Sequence, residues 1–167
     1  MSSKNIILKV KNDLYSNADA IPALLTYINN ATAVYTSGYG FYPTDSTMAI
    51  QRFQEVQDCR NFSCERQLWH LILCFSHHFS FQTIATIAYQ VAEIFSSNGY
   101  LVFYGIHEKR DQNGKRYHIH FAIQASSYYT DYPDLTFEQM SQRISQIEYL
   151  IATHFNSEFP LYVDMEA

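Results

Sequence analysis

No stretch of this 167-residue chain is apolar for long enough to span a bilayer. Its first residues, MSSKNIILKVKND, lack the apolar run and small-residue cleavage site of a secretory leader. Cysteine is scarce and odd in number: Cys59, Cys64 and Cys74 sit at spacings that match no zinc module. Free thiols in a reduced, cytoplasmic protein are therefore expected. An excess of positive charge is also missing. The net charge of −5 argues against nucleic-acid binding driven by a global field. Its distribution matters, however. Residues 1–130 hold ten Lys/Arg against nine Asp/Glu, whereas residues 131–167 hold one Arg and seven acids. Internal repeats, linkers and low-complexity segments are absent too, so residues 1–167 are expected to form a single domain. A content of 47% hydrophobic and 16% aromatic residues predicts a globular chain with a sizeable core.

One stretch carries most of the chemistry: Tyr100 to Gln124, YLVFYGIHEKRDQNGKRYHIHFAIQ. Asn113-Gly114 is a strong signal for a two-residue type I′ hairpin turn, which needs positive φ at both central residues. With those residues as the turn, counting outward places His107 opposite His120. His118, two residues from His120, shares its face. Three imidazoles then converge on one face of a ribbon, with Gly105 opposite Ala122 leaving open space beside them. Tyr104, Ile106, Ile119, Phe121 and Ile123 form the apolar, core-facing side. Neutral imidazole suits first-row metals, and three ligands leave positions open for substrate. His70 reads as a satisfied structural histidine, and His77, His78 and His154 as surface residues. Lys109, Arg110, Lys115 and Arg116 form a local basic cluster beside the histidines, either a solvated hairpin tip or a patch able to offset the chain's acidity locally.

The remaining pattern is a strand over Asn5–Val10, a helix over Asn17–Asn30 capped by Asn17, and a loop over Thr32–Pro43. A helix capped by Thr44 or Asp45 comes next, then the apolar strand Leu68–Phe75 and an amphipathic helix capped by Ser80. After the hairpin, Thr136 opens a last helix, and Leu161–Val163 forms a short strand. About five strands and four helices in this order predict an α+β fold: a central antiparallel sheet with helices packed on one face.

The apolar strand ending in His107, the short polar loop and His118-Ile119-His120-Phe121-Ala122-Ile123-Gln124 resemble the metal-binding motif of plasmid mobilisation relaxases of the MobA/MobL-like kind. These are HUH endonucleases, in which a hydrophobic residue separates two histidines. Gln124 stands where asparagine is usual. The resemblance implies an antiparallel sheet of ferredoxin-like or palm-like topology carrying the histidines. It implies that His107, His118 and His120 bind a divalent ion. Mn²⁺ or Mg²⁺ would be the working metal, and Zn²⁺ or Ni²⁺ the ion retained on purification, since affinity order favours them. It further implies a catalytic tyrosine near the end of an early helix, in a pattern like Y-I-x-N. Leu25-Thr26-Tyr27-Ile28-Asn29-Asn30 matches the first half of that pattern. The lysine expected after it is absent, and Ala33 stands near its place. Tyr27 would nick single-stranded DNA at an origin of transfer through a 5′-phosphotyrosyl link, with accessory mobilisation proteins as further partners. Glu108 and Asp111 are candidates to orient a histidine or to act as base. Tyr149, after the histidines, is the alternative nucleophile, in the order used by rolling-circle initiators and HUH transposases. Tyr35, Tyr39 and Tyr42, in a loop that could fold over the site, are rival nucleophiles as well, or with Phe41 could instead stack on unpaired bases. A degenerate relaxase fold that only binds DNA is the non-enzymatic alternative.

Overall fold

A computed structural model describes residues 5–13, 15–30, 32–39, 46–59, 66–129 and 132–166. The described elements are, in chain order, β1 (Ile6–Val10), α1 (Ala20–Ile28), β2 (Ala33–Tyr39), α2 (Ser46–Cys59), β3 (Leu68–Phe75), α3 (Phe81–Ser96), β4 (Tyr100–Asp111), β5 (Gly114–Ser127), α4 (Phe137–His154) and β6 (Leu161–Asp164). The strands form one sheet in the order β2-β4-β5-β3-β1-β6. All neighbours are antiparallel except β1 and β6, which are parallel, so the sheet is mixed and has six strands.

Alternation along the strands sorts the side chains into two faces. One face carries Leu71, Leu73, Tyr104, Ile106, Ile119, Phe121 and Ile123, and packs against α3 and α4 through Ile84, Ile87, Val91, Phe95, Ile144 and Ile147. The other face carries a smaller core of Leu68, Leu101, Phe103 and Ala122 under α1 and α2, with Leu24, Leu25, Ile28 and Phe53. Helices thus cover both faces, not one as the sequence suggested. The histidine-bearing face is itself apolar towards the end of the sheet where α1 and α2 sit.

Three further differences are local. The segment Ala33–Tyr39, expected as loop, is an edge strand paired with β4. Its Tyr, Thr, Ser and Gly residues give no clean alternation, and its pairing is non-local. Helix α1 begins at Ala20 with Asp19 as its N-cap residue, and Asn17 instead accepts a hydrogen bond from the Asp19 amide at 3.0 Å. Thr44 and Asp45 lie outside the described residues, as do Phe41, Tyr42 and Cys64. Ser80 does cap α3, accepting from the Thr83 amide, and Thr136 caps α4 in a reciprocal capping box with Gln139.

The hairpin closes two residues away from the expected register. Asp111 pairs with Gly114, so the turn residues are Gln112 and Asn113, and His107 faces His118 while Gly105 faces His120. The Asp111 carboxylate accepts the Asn113 amide hydrogen at 2.8 Å. Gly114 alone takes the positive φ, +128°, and neither turn residue does. A two-residue difference in pairing preserves the face, because side chains alternate with period two. The three histidines therefore still share one side.

Candidate active site

The site lies where the C-terminus of α1 meets the centre of the sheet. The last carbonyls of a helix have no partner within it. Here the Ile28 carbonyl accepts a hydrogen bond from His107 Nε2 at 2.7 Å. Gly105 permits this approach: a Cβ there would lie 2.7 Å from the Ile28 carbonyl oxygen. The space expected beside Gly105 is thus occupied by the helix end. In the neutral ring, that hydrogen bond places the proton on Nε2 and the lone pair on Nδ1, which sits 3.0 Å from Thr32 Oγ1.

The same helix end delivers Tyr27. Its ring stands edge-on to His120 with centroids 5.3 Å apart, and lies 6.4 Å from His107. Tyr27 is 51% exposed, so its phenol is reachable from solvent although the histidines beneath it are mostly buried. A cleft of about 400 Å³ opens there, lined by Tyr27, His118, His120, Lys9, Lys109 and Arg116 among others.

The donor set fits a metal ion. One nitrogen each from His107, His118 and His120 falls within 4.8 Å of the other two. His120 Nε2 is buried and has no hydrogen-bond partner, an orphaned atom that a cation would satisfy. Burial, then the neighbouring histidines, lowers the His120 pKa to about 2. Burial first and His107 second lower that of His118 to about 4. Burial also lowers that of His107, against the opposing effect of the Ile28 carbonyl. All three rings are consequently neutral at pH 7, the form that binds metals.

A family model for the relaxase MobA/VirD2-like nuclease domain matches residues 27–147. The chain belongs to that family. The match begins at Tyr27 and takes in all three histidines of the cluster, and the domains it describes are DNA-nicking ones. No curated protein matches the sequence significantly. Among solved structures, one from work on the molecular basis of vancomycin resistance transfer in Staphylococcus aureus is similar in fold, with a TM-score of 0.56. That likeness covers 83% of this chain and 78% of the other at 17% identity.

Within this relaxase domain the basic cluster divides. Lys109 and Arg116 line the cleft. Arg110 and Lys115 are on the opposite side of the ribbon, each 3.3 Å from Glu108. Glu108 therefore projects away from the histidines, as alternation from His107 requires. Asp111 pairs with Arg116 at 2.7 Å and with His78 at 3.0 Å, and neither contact reaches the metal-ligand candidates. Tyr149 is 76% exposed on α4, the helix that packs with α3 on the far face of the sheet. Tyr35 lies against Tyr104 and Phe81, also on the far face. Tyr39 contacts Tyr89 of α3. Gln124 is fully buried and donates to the Phe53 carbonyl at 2.7 Å, fastening α2 to β5. No helix among the described residues is long and apolar enough to cross a membrane.

Lys9 carried no signal in the sequence, and His70, expected as a satisfied structural histidine, is buried with both ring nitrogens hydrogen-bonded but also joins the site. Lys9 reaches the cleft from β1, in the alternation that sends Leu8 and Val10 to the opposite core. His70 contacts His120, with His70 Nε2 2.9 Å from His120 Nδ1. Both depend on strand neighbours that are distant in sequence. His70 pairs with Ala122 across the β3–β5 ladder and so is a diagonal neighbour of His120.

Proposed function

We propose that the chain is a metal-dependent, site-specific single-stranded DNA nickase and strand transferase acting at a plasmid or mobile-element origin. The observation that carries this reading is the exposed Tyr27 ring standing 5.3 Å from His120, over a cluster of three neutral imidazoles. Tyr27 is the nucleophile. Its phenol oxygen attacks the scissile phosphorus in line, forming the Tyr–O–P bond as the P–O3′ bond breaks. The phenol loses its proton, the departing 3′-oxygen gains one, and the 5′-phosphate stays on the protein. One ester replaces another, so the reverse attack by the 3′-hydroxyl rejoins the strand.

His107, His118 and His120 hold the ion, with Mn²⁺ or Mg²⁺ as the working metal. An ion held there would supply Lewis-acid chemistry to the scissile phosphate. Lys9, Lys109 and Arg116 line the same cleft and supply positive charge to the flanking phosphates. This local patch explains how a chain of net charge −5 can bind DNA. The Ile28–His107 hydrogen bond ties the nucleophile's helix to the ligand cluster, so both are positioned as one unit. No separate role is needed for Glu108, whose carboxylate is engaged on the other side of the ribbon.

Labelled single-stranded DNA carrying candidate origin sequences, mixed with protein and Mn²⁺ and run on a denaturing gel, tests this. A shifted covalent band that requires the metal and disappears in Tyr27→Phe supports it. A band that persists in the variant moves the chemistry to another tyrosine. No band with any origin favours a fold kept for DNA binding alone.

A further inference from the structure

The cluster of three histidines rests on a second layer of side chains. His70 Nδ1 lies 2.9 Å from the Tyr15 hydroxyl, and His70 Nε2 lies 2.9 Å from His120 Nδ1. Tyr15, His70 and His120 thus form a continuous hydrogen-bonded row running from the loop before α1 into the candidate ligand set. His70 is 4% exposed and His120 is 3% exposed, so water does not substitute for these partners.

The direction of the row follows from one orphaned atom. His120 Nε2 is buried without a hydrogen-bond partner. A proton there would be a buried N–H with nothing to accept it, which is costly. A lone pair there is what an ion takes. With the lone pair on Nε2, the His120 proton is on Nδ1 and is donated to His70 Nε2. His70 must then carry its own proton on Nδ1 and donate it to the Tyr15 oxygen. Each ring nitrogen in the row has a single consistent role.

Tyr15 is held at some cost. Its φ is +48°, in the left-handed region that aromatic side chains rarely adopt. The strand end beside it fixes that conformation. The Gln67 amide donates to the Tyr15 carbonyl at 3.3 Å, the Gln67 side chain donates to the Ser16 carbonyl at 3.1 Å, and Arg66 donates to the Asp13 carbonyl at 2.9 Å. The Lys11 amide donates to the His70 carbonyl at 3.0 Å, joining the same loop to the histidine it serves.

We propose that His70 and Tyr15 are positioning residues that fix the tautomer and orientation of His120, so that its Nε2 lone pair is presented to the metal ion. Neither touches the ion or the DNA. The proposal rests on the reading of His107, His118 and His120 as a metal site. Losing a partner of this kind typically costs about 10–100-fold in metal affinity.

The test uses the whole chain and needs no DNA. Mn²⁺ and, separately, Ni²⁺ are titrated calorimetrically into metal-free wild type, His70→Phe, His70→Gln and Tyr15→Phe, each first shown to be folded by thermal denaturation. His70→Phe is expected to weaken binding about 10–100-fold. His70→Gln, whose amide oxygen can accept the Nδ1 hydrogen, should stay near wild type, and Tyr15→Phe should fall between the two. Long-range ¹H–¹⁵N correlation spectra of the metal-free protein give a second readout. They should place the His120 proton on Nδ1 in wild type and His70→Gln, and redistribute it in His70→Phe. Tyr15→Phe removes only a hydroxyl and carries the test if His70→Phe does not fold. Equal affinities across folded variants, or a wild-type His120 protonated on Nε2, overturn the positioning role while leaving the metal site intact. Wild-type protein that binds neither ion overturns the metal reading and this role with it.

Discussion

Gly105→Ala adds one methyl group where α1 meets the sheet, and its consequences follow from two distances. The new Cβ would lie 2.7 Å from the Ile28 carbonyl oxygen and 2.8 Å from Ile28 Cγ2. Neither neighbour is the loose end of a flexible chain: one is backbone, and the other belongs to a fully buried side chain. Restoring ordinary contact near 3.4 Å moves the helix end by about 0.7 Å. Overpacking of this kind costs about 1–3 kcal/mol. Reduced freedom of the unfolded chain returns about 0.4–1 kcal/mol. The net loss of about 1–2 kcal/mol lowers Tm by roughly 2–8 °C for a chain of this size. The functional loss is larger than the stability loss. The same displacement stretches the Ile28–His107 hydrogen bond and shifts Tyr27, and a misplacement near 1 Å can cost about 100-fold in rate. Thermal denaturation and single-turnover nicking with Mn²⁺ measure the two effects separately. Wild-type Tm and wild-type nicking together would refute the claim that Gly105 sets the approach of the helix to the histidines.

Other outcomes follow from the same geometry. Tyr27→Phe should abolish the covalent adduct while changing stability by no more than about 0.5 kcal/mol, because the ring is half-exposed. Tyr149→Phe should leave adduct formation unchanged, and a gel assay distinguishes the pair. Lys9→Ala should weaken single-stranded DNA binding and flatten its salt dependence by about 0.7 in log–log slope, with no change in Tm, as read by fluorescence anisotropy across salt concentrations. Acid should destabilise the metal-free protein early. Histidines titrate near 6.5 when unfolded, but burial lowers His70 and His118 to about 4 and His120 to about 2. Between those values the unfolded chain binds more protons than the folded one. Stability is therefore full above pH 6.5 and falls as pH drops, by about 1.4 kcal/mol per pH unit for each histidine held neutral. Urea denaturation from pH 7 to pH 5 checks this, and a flat profile would contradict it.

How much of this was readable in advance varies with the range of the interactions involved. The hairpin, its apolar face and the grouping of His107, His118 and His120 were legible, because strand alternation and a turn signal are local. The register was off by two residues. An Asn-Gly pair points to a turn, but the Asp111 carboxylate competes for the Asn113 amide and leaves Gly114 to start β5. An even shift preserves the face, so the three histidines still share one side. The caps at Ser80 and Thr136 were legible for the same local reason. The edge strand Ala33–Tyr39 was not. Polar residues without clear alternation become a strand there through pairing with β4. Coverage of the second face was also hidden, because Leu101, Phe103 and Ala122 are too few to make an apolar pattern beside the histidines. The structural role of His70 was legible, but its contact with His120, like the places of Tyr15 and Lys9, needed the order of strands in the sheet, and no local signal supplies it.

Tandem mass spectrometry on the purified protein–DNA adduct, after nuclease trimming, identifies the residue that carries the DNA. A nucleotide linked through its 5′-phosphate to Tyr27 is expected. A link to Tyr149, to Tyr35 or to any residue other than Tyr27 would contradict it.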